Sequence, residues 1–135
     1  MMAESDHVLE FNHTYNVLVV DDSAFMVKNL KRMLGSLGCE ILDTAENGVE
    51  AVESAKEHMA QLDLITLDIT MPEKNGIEAL EEIKQINPKI TVVMVSAMGQ
   101  KDTVKKCIKK GASHFVVKPF ERDDVFQKLK KVLGD

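Results

Sequence analysis

Short apolar runs in the sequence are followed, at four places, by one or two side chains that could take part in chemistry. Three of these side chains are carboxylates, one is a hydroxyl and one is an amine, and the residues are Asp21, Asp22, Asp68, Ser96 and Lys118. Two like charges ~4 Å apart repel by roughly 4 kcal/mol at an effective dielectric of about 20. A hard divalent cation relieves such repulsion, and Mg²⁺ prefers oxygen ligands while keeping several waters. If these residues meet, a Mg²⁺ site is expected.

The charges of this set also suit phosphoryl transfer. Three aspartates and one Mg²⁺ leave a charge of about −1, which Lys118 brings near neutral. A phosphoryl group arriving at Asp68 would meet the cation, the Lys118 ammonium and the Ser96 hydroxyl. Those are the electrostatic and donor groups that this reaction uses beside a nucleophile.

Each residue taken alone has an ordinary structural explanation. Asp22, which precedes Ser23, could cap a helix. Asp68 could be a turn aspartate, Lys118 could be a solvated loop residue, and Ser96 by itself indicates almost nothing. We therefore base the functional hypothesis on their occurrence together, at the ends of four separate apolar runs.

The apolar runs have the length and composition of β-strands. They are rich in β-branched residues and nearly continuous, which predicts strands buried on both faces, and they comprise residues 17–20, 62–67, 90–95 and 115–117. Residues 39–45 are more mixed, with Glu40 and Asp43 between apolar residues, and we predict an edge strand there.

Between the strands, apolar residues recur with the period of a helix and predict five helices. The stripes are Met26, Leu30, Met33, Leu34 and Leu37; Val49, Val52, Ala55 and Met59; Ile77, Leu80, Ile83 and Ile86; Val104, Cys107 and Ile108; and Val125, Leu129, Val132 and Leu133. Five βα units predict an α/β fold, (βα)5, with a doubly wound parallel five-stranded sheet. Ligands of such folds bind beyond the carboxyl ends of the strands, where the five candidate residues lie.

Composition sets limits on function. The 135 residues suit one domain. A net charge of −5 gives no reason to expect nucleic-acid binding, and no apolar run approaches the ~20 residues of a membrane span. Residues 1–12 lack the apolar stretch of a secretory signal. Cys39 and Cys107 lack metal-site spacing and indicate reduced thiols in a cytoplasmic protein.

The first residues differ from the remainder of the chain. Residues 1–14 show neither the strand nor the helix period. We predict that they form a flexible N-terminal extension and that residues 15–135 form the domain.

Several short motifs, in this order along the chain, resemble those of the response-regulator receiver domain of the CheY-like superfamily. They are Val20-Asp21-Asp22, Leu67-Asp68-Ile69-Thr70-Met71-Pro72, Asn75-Gly76, Ser96-Ala97 and Lys118-Pro119-Phe120. The resemblance extends from Tyr15 to about Leu133. Residues 68–72 and 96–100 are especially similar to chemotaxis-type stand-alone receivers.

The resemblance implies the strand order 2-1-3-4-5 that receivers share with flavodoxins. It implies that Asp68 is the phosphoacceptor, phosphorylated by a CheA-like sensor histidine kinase or a small phosphodonor. Asp22, Asp68 and the backbone carbonyl of Thr70 would bind Mg²⁺ directly, with Asp21 acting through water, and Mn²⁺ could replace Mg²⁺. Lys118, preceding a cis proline, would pair with Asp68 and then with its phosphoryl group.

The resemblance further implies a switch. The Ser96 hydroxyl would move to the phosphoryl group, and Phe115 would turn inward behind it. Because Phe115 lacks the hydroxyl of tyrosine, no partner contact through that atom is available. Thr70 and Met98, two residues after Asp68 and Ser96, would tune the lifetime of the acyl phosphate.

The resemblance places the partner-binding surface on helix four, strand five and helix five. The target would be a flagellar motor switch protein or another output protein, and a phosphatase is a possible further partner. Helix four carries lysines that could attract an acidic segment or could simply form a solvated face: Lys101, Lys105, Lys106, Lys109 and Lys110. We expect a monomer that modifies itself and is not a turnover enzyme.

Two alternatives remain at this point. A phosphorelay intermediary, passing its phosphoryl group to a histidine phosphotransfer protein, would carry the same residues. A flavodoxin-like FMN electron carrier would share the winding but needs a phosphate-binding loop after strand one. Asp21 and Asp22 put negative charge there instead and would repel the FMN phosphate.

Overall fold

A computed structural model describes residues 9–135, which form five strands and five helices in strict alternation. The strands are β1 (Asn16–Val20), β2 (Glu40–Ala45), β3 (Leu64–Leu67), β4 (Thr91–Ser96) and β5 (His114–Val117). The helices are α1 (Ala24–Ser36), α2 (Gly48–His58), α3 (Gly76–Ile86), α4 (Lys101–Lys109) and α5 (Arg122–Leu133). All strand pairs are parallel, in the order β2-β1-β3-β4-β5. The predicted fold class and strand order are confirmed.

The sheet separates two apolar clusters because successive strand residues point to opposite faces. On β3, Ile65 packs in a cluster with residues of α2, α3 and α4, whereas Leu64 packs in the other cluster with residues of α1 and α5. Every residue of β3 is buried. The continuous apolar runs of the central strands therefore reflect helices on both faces.

β2 lies at an edge of the sheet, as its mixed composition predicts. Its register against β1 shifts between Val17 and Leu18. Asp43 accepts a hydrogen bond of 2.6 Å from the Ser54 hydroxyl of α2, and this bond is the main reason that the pKa of Asp43 is lowered. The edge strand is thus tied to its neighbouring helix by a polar contact as well as by packing.

Side chains at the starts of the helices settle one ambiguity of the sequence. Ser23, not Asp22, caps α1, because its hydroxyl accepts a hydrogen bond from the backbone N–H of Met26. Asn75 caps α3 in a capping box with Glu78. Asp22 therefore has no capping role.

Three residues of the apolar stripes are exposed, so the stripes are wider than the buried faces of their helices. Val49 and Ile86 lie in the first turn of α2 and at the last position of α3, and Ile108 lies on the outer side of α4. Val49 and Ile86 thus lie at helix ends, and Cys107 is the one buried residue of α4. Periodicity identified the helices but overestimated the width of their buried faces.

Both cysteines are free thiols in the structure. Cys107 is buried and Cys39 is half-buried. Burial raises the pKa of Cys39 to about 11, and it also raises that of Cys107. Both thiols therefore stay protonated at neutral pH.

Residues 9–15, here called the N-terminal strap, pack against α1 and α5. Phe11 is 8% exposed, and its ring centroid lies 5.3 Å from that of Tyr15 and 5.1 Å from that of Phe126. Its backbone N–H donates to the Leu37 carbonyl at 3.0 Å. The Arg122 guanidinium donates to the Leu9 carbonyl at 3.0 Å.

Asp135 fastens the other end of the strap. Its carboxylate accepts hydrogen bonds of 2.9 Å from the Asn12 backbone N–H and of 2.9 Å from the Tyr15 hydroxyl, and it lies 3.0 Å from Nδ1 of His13. The pKa of Asp135 is lowered to about 2, chiefly by the Asn12 N–H. The side chain is only 1% exposed beneath these partners.

The boundary predicted after residue 14 stays a prediction, since the extension's residues 1–8 lie outside the described part of the chain. Residues 9–14, however, are packed rather than free, because the Phe11 ring joins the apolar cluster of α1 and α5. Within residues 9–135, no helix is long and apolar enough to cross a membrane.

Replacing Phe11 with alanine tests the strap. Because the ring is buried, Phe11→Ala should lower the free energy of unfolding by about 3 kcal/mol, measured by urea denaturation. Phe25→Ala is the matched control, since Phe25 is 77% exposed and should change stability by less than about 0.5 kcal/mol. Equal effects of the two substitutions would mean that the strap does not pack in solution.

Replacing Asp135 with asparagine tests the charge of the Asp135 carboxylate. A lowered native pKa stabilises the fold above the unfolded value of about 4 and loses that effect as the pH falls toward the native value, here about 2. Asp135→Asn should therefore unfold at a lower temperature than the unsubstituted protein at pH 7, and the difference should shrink below about pH 4. A difference independent of pH would contradict this origin.

Candidate functional site

Three carboxylates meet where β1 and β3 end. Asp21 directly follows β1, Asp68 directly follows β3, and Asp22 lies beside them. Each contributes an oxygen that lies within 4.8 Å of an oxygen of each of the others. Asp21 is 1% exposed and Asp68 is 6% exposed, whereas Asp22 faces solvent. The structure thus brings together the three aspartates that the sequence singled out.

The sheet itself holds the two buried aspartates. The backbone N–H of Asp21 donates to the Ala45 carbonyl at 3.0 Å, and that of Asp68 donates to the Val20 carbonyl at 3.1 Å. The parallel hydrogen-bond pattern therefore continues past the ends of the strands. These bonds therefore hold the backbones of the two aspartates side by side at the sheet edge.

Backbone amides also orient these carboxylates. Oδ1 of Asp21 accepts a hydrogen bond of 3.0 Å from the Ser23 N–H, and Oδ1 of Asp68 accepts one of 2.8 Å from the Ile69 N–H. In each case Oδ2 is turned toward Lys118. The two carboxylates therefore present one oxygen each to the same cation.

Lys118 is that cation, and it joins β5 to the acidic cluster. Its Nζ lies 2.7 Å from Oδ2 of Asp21 and 3.5 Å from Oδ2 of Asp68. Its backbone N–H donates to the Ser96 carbonyl at 2.9 Å, and the bond between Lys118 and Pro119 is cis. The ammonium consequently pairs most closely with Asp21 in this structure.

Negative charge exceeds positive charge in the cluster. The pKa of Asp68 is raised, first because the group is buried and then because Asp21 is close, while Lys118 and the Ile69 N–H only partly oppose this. Three ionised carboxylates and one ammonium sum to −3 + 1 = −2. A site with this excess of negative charge is suited to a divalent cation.

Ser96 and Phe115 lie on neighbouring strands. The buried Ser96 hydroxyl accepts a hydrogen bond of 3.2 Å from the Met98 N–H, so its oxygen is engaged in the β4–α4 connection. The Phe115 ring is buried in the cluster with residues of α2, α3 and α4, and its register partner on β4 is Met94. The aromatic therefore already points inward.

Thr70 lies in the loop after β3, and its hydroxyl donates to the Met98 sulfur at 3.1 Å. This contact links the loop that follows Asp68 to the loop that follows Ser96. Sequence reasoning named both residues but missed the contact, because nothing in the sequence relates positions 28 residues apart.

Gly76 allows α3 to start against the backbone of Asp68. A Cβ at this position would lie 1.8 Å from the Asp68 carbonyl oxygen, and the Gly76 N–H donates to the Ile69 carbonyl at 2.7 Å. Any side chain would displace the strand end that carries Asp68. This close contact explains why the motif of Asn75 and Gly76 contains a glycine.

An open cleft adjoins the cluster and was not foreseen from the sequence. It lies between α1 and the connection from β2 to α2, and it reaches Asp21 and Asp22 but not Asp68. Its charged lining is mixed in sign and comprises Lys28, Lys31, Glu46 and Glu50 beside the two aspartates. The cleft therefore widens the approach to Asp21 and Asp22, and its two lysines balance its two glutamates.

Known proteins are similar to this chain in both sequence and fold. Residues 17–130 match the family described as the response regulator receiver domain. The chain is 49% identical to the chemotaxis protein CheY of Bacillus subtilis over 120 residues, covering 89% of this chain and 98% of that protein. It is 48% identical to CheY of Thermotoga maritima, covering 86% of this chain and 95% of that protein.

A solved structure agrees with these relationships. A chain of the CheX–CheY–BeF3–Mg²⁺ complex from Borrelia burgdorferi superposes with a TM-score of 0.86 at 46% identity, covering 87% of this chain and 88% of that one. The strand order, the acidic cluster with Lys118 and these matches all agree. The chain therefore belongs to the response regulator receiver domain family.

Proposed function

We propose that Asp68 of this receiver domain accepts a phosphoryl group in the presence of Mg²⁺, and that the phosphorylated domain acts in chemotaxis control by changing its binding to a partner. The observation that carries this proposal is the buried cluster of Asp21 and Asp68 with Lys118 beside exposed Asp22. The CheY relatives support the chemotaxis part.

The donor atoms of the cluster fit Mg²⁺, with Mn²⁺ as a substitute. Asp22 and Asp68 would bind the ion directly together with the carbonyl of Thr70, and Asp21 would act through water. The net charge of −2 in the cluster favours a divalent cation, and its ligands are all oxygen atoms. When bound, the ion would neutralise charge on the phosphoryl oxygens.

Asp68 would act as the nucleophile. One carboxylate oxygen attacks phosphorus, the bond from phosphorus to the histidine nitrogen of a kinase breaks, and the acyl phosphate forms while the histidine leaves. Lys118, now 3.5 Å from Asp68 and 2.7 Å from Asp21, would turn toward the new phosphoryl oxygens. The negative charge of the phosphoryl group can attract the Lys118 ammonium there. The ammonium is not bound to Asp21 alone, because Asp21 and Asp68 share it.

Ser96 would connect the chemistry to the protein surface. Its hydroxyl oxygen would release the Met98 N–H, and its O–H would donate to a phosphoryl oxygen. Loss of that bond would free the β4–α4 loop to move, and the loop would stay tied to Thr70 through the Met98 sulfur. Phe115 lies on the adjacent strand and would fill the space behind the moved loop.

The proposed output surface is formed by α4, β5 and α5. A groove there is lined by apolar and polar residues, among them Val104, Ile108, His114, Phe115 and Val132. Lys110, which directly follows α4, pairs with Glu81 at 3.0 Å, while the four lysines within α4 are exposed. An acidic partner segment, such as one of a motor switch protein, suits this combination of apolar groove and positive charge.

The remaining partners follow from the chemistry. A CheA-like histidine kinase would supply the phosphoryl group, and a phosphatase could remove it; the Borrelia CheY structure is a complex with CheX. The domain would act as a monomer in the cytoplasm and modify only itself. The CheY relatives favour chemotaxis over a phosphorelay, and the carboxylates after β1 disfavour a flavin carrier.

Intact mass after incubation with acetyl phosphate and Mg²⁺ tests the proposed chemistry. We expect one added phosphoryl group, which EDTA prevents and which is absent from Asp68→Asn. Asp123→Asn serves as the matched control, because Asp123 lies exposed in the first turn of α5 and should be phosphorylated normally. Phosphorylation of the Asp68→Asn protein to the same extent would refute the assignment of Asp68.

Asp68→Asn should also stabilise the metal-free protein. A raised carboxyl pKa destabilises the fold above that pKa and ceases to do so as the pH falls through it. At pH 7 we expect a gain of about 1 kcal/mol, or roughly 4 °C in Tm. The gain over the unsubstituted protein should shrink at acidic pH, where its Asp68 gains a proton.

The effect of Mg²⁺ on the Tm is a complementary test of the metal site. Millimolar Mg²⁺ should raise the Tm of the unsubstituted protein, because only the folded state presents the converged carboxylates, and should raise that of Asp68→Asn much less. An equal rise in both proteins would place the ion elsewhere.

A further inference from the structure

The loop between β3 and α3, residues 68–75, is fastened at both ends by the first residue of a helix. At its start, the Gly76 N–H of α3 donates to the Ile69 carbonyl at 2.7 Å. Near its end, the Gly48 N–H of α2 donates to the Lys74 carbonyl at 3.0 Å. The loop carries Asp68 and Thr70 between these two attachments.

The path of this loop is not one that its sequence prefers locally. Glu73 has φ of 66°, the only positive φ of a non-glycine residue among residues 9–135. Such a conformation is uncommon for residues with a side chain and persists where surrounding contacts impose it. The attachment at Lys74, the next residue, is one of these contacts.

Gly48 leaves no room for a side chain. A Cβ at this position would lie 2.1 Å from the Lys74 carbonyl oxygen, 2.7 Å from its carbonyl carbon and 2.7 Å from its Cβ. Real Cβ atoms are not found this close to other heavy atoms, and two of the three are backbone atoms. A methyl group at Gly48 must therefore displace either α2 or the loop.

The helix is the more firmly held of the two. Asn47 caps α2 by accepting a hydrogen bond of 2.8 Å from the Glu50 N–H, and Asn47 itself is buried. Ala51 and Ala55 of α2 are fully buried in the core. In the loop, Ile69 and Met71 are buried, whereas Thr70, Pro72 and Glu73 are exposed. The exposed stretch beside Lys74 is therefore the part that would move.

We propose that Gly48 is a positioning residue for the phosphoryl site, acting through the carbonyl of Thr70. This inference rests on the proposed function, in which that carbonyl is a Mg²⁺ ligand. Thr70 lies four residues before Lys74, with stiff Pro72 between them, so a displaced Lys74 carbonyl shifts the loop that carries Thr70. Mg²⁺ demands near-ideal ligand geometry, and changes behind metal ligands typically weaken binding roughly 10- to 100-fold.

Gly48→Ala tests this inference, with Gly35→Ala as the matched control. The control adds the same methyl group where no atom lies within 4 Å of the new Cβ. NMR titration with Mg²⁺ should give a dissociation constant roughly 10-fold higher for Gly48→Ala and an unchanged one for Gly35→Ala. A folded Gly48→Ala protein that binds Mg²⁺ as tightly as the unsubstituted protein would overturn the proposal.

Phosphorylation kinetics separate positioning from general destabilisation. With acetyl phosphate as donor, Gly48→Ala should need roughly 10-fold more Mg²⁺ for its half-maximal rate, while its rate at saturating Mg²⁺ approaches that of the unsubstituted protein. A lower saturating rate with an unchanged Mg²⁺ requirement would contradict a role through the metal ligand. Failure of the unsubstituted protein to be phosphorylated at all would instead refute the proposed function.

A measurement on the unsubstituted protein covers the case in which Gly48→Ala does not fold. If the attachment at Lys74 and the metal site are coupled, Mg²⁺ must stabilise the attachment as much as the attachment favours Mg²⁺. Saturating Mg²⁺ should therefore slow hydrogen exchange of the Gly48 amide by roughly 10-fold. Unchanged exchange, with Mg²⁺ binding observed elsewhere in the spectrum, would show that the two are uncoupled.

Discussion

Repulsion between carboxylates at one edge of the sheet is the interaction on which the rest of this domain depends. Asp21 and Asp68 are buried, Asp22 lies beside them, and a single ammonium, that of Lys118, faces the two buried groups. The sheet hydrogen bonds that continue past β1 and β3 hold the backbones of Asp21 and Asp68 side by side. The protein therefore keeps an excess of negative charge that a cation can relieve and that an incoming phosphoryl group can redistribute.

The surrounding structure holds this arrangement by close backbone contacts. Gly76 touches the Asp68 carbonyl, and Gly48 touches the Lys74 carbonyl, so two helices start directly against the loop that follows the strand. The contact between Thr70 and Met98 joins that loop to the one after Ser96. In the proposed function, this contact would link a change of charge at Asp68 to the β4–α4 connection, which leads to the surface of α4.

Stability of the domain also comes from residues outside the segment that the family shares. The family match begins at residue 17 and ends at residue 130. The strap at residues 9–15 lies before it, packs its Phe11 ring on Phe126 and is fastened by Asp135. These contacts lie along α5, one of the three elements of the proposed output surface. The strap thus packs against a helix that forms part of the proposed output surface.

The sequence by itself determined the five strands, the five helices, the edge position of β2 and the convergence of the three aspartates. Those features follow from the local period of apolar residues and from the rule that parallel strands end at one edge. Only the tertiary structure decided the exposure of Val49 and Ile86, the packing of Phe11, and the contacts of Gly48 and Met98. These depend on which distant segments meet and how closely, and a local pattern carries no information about either.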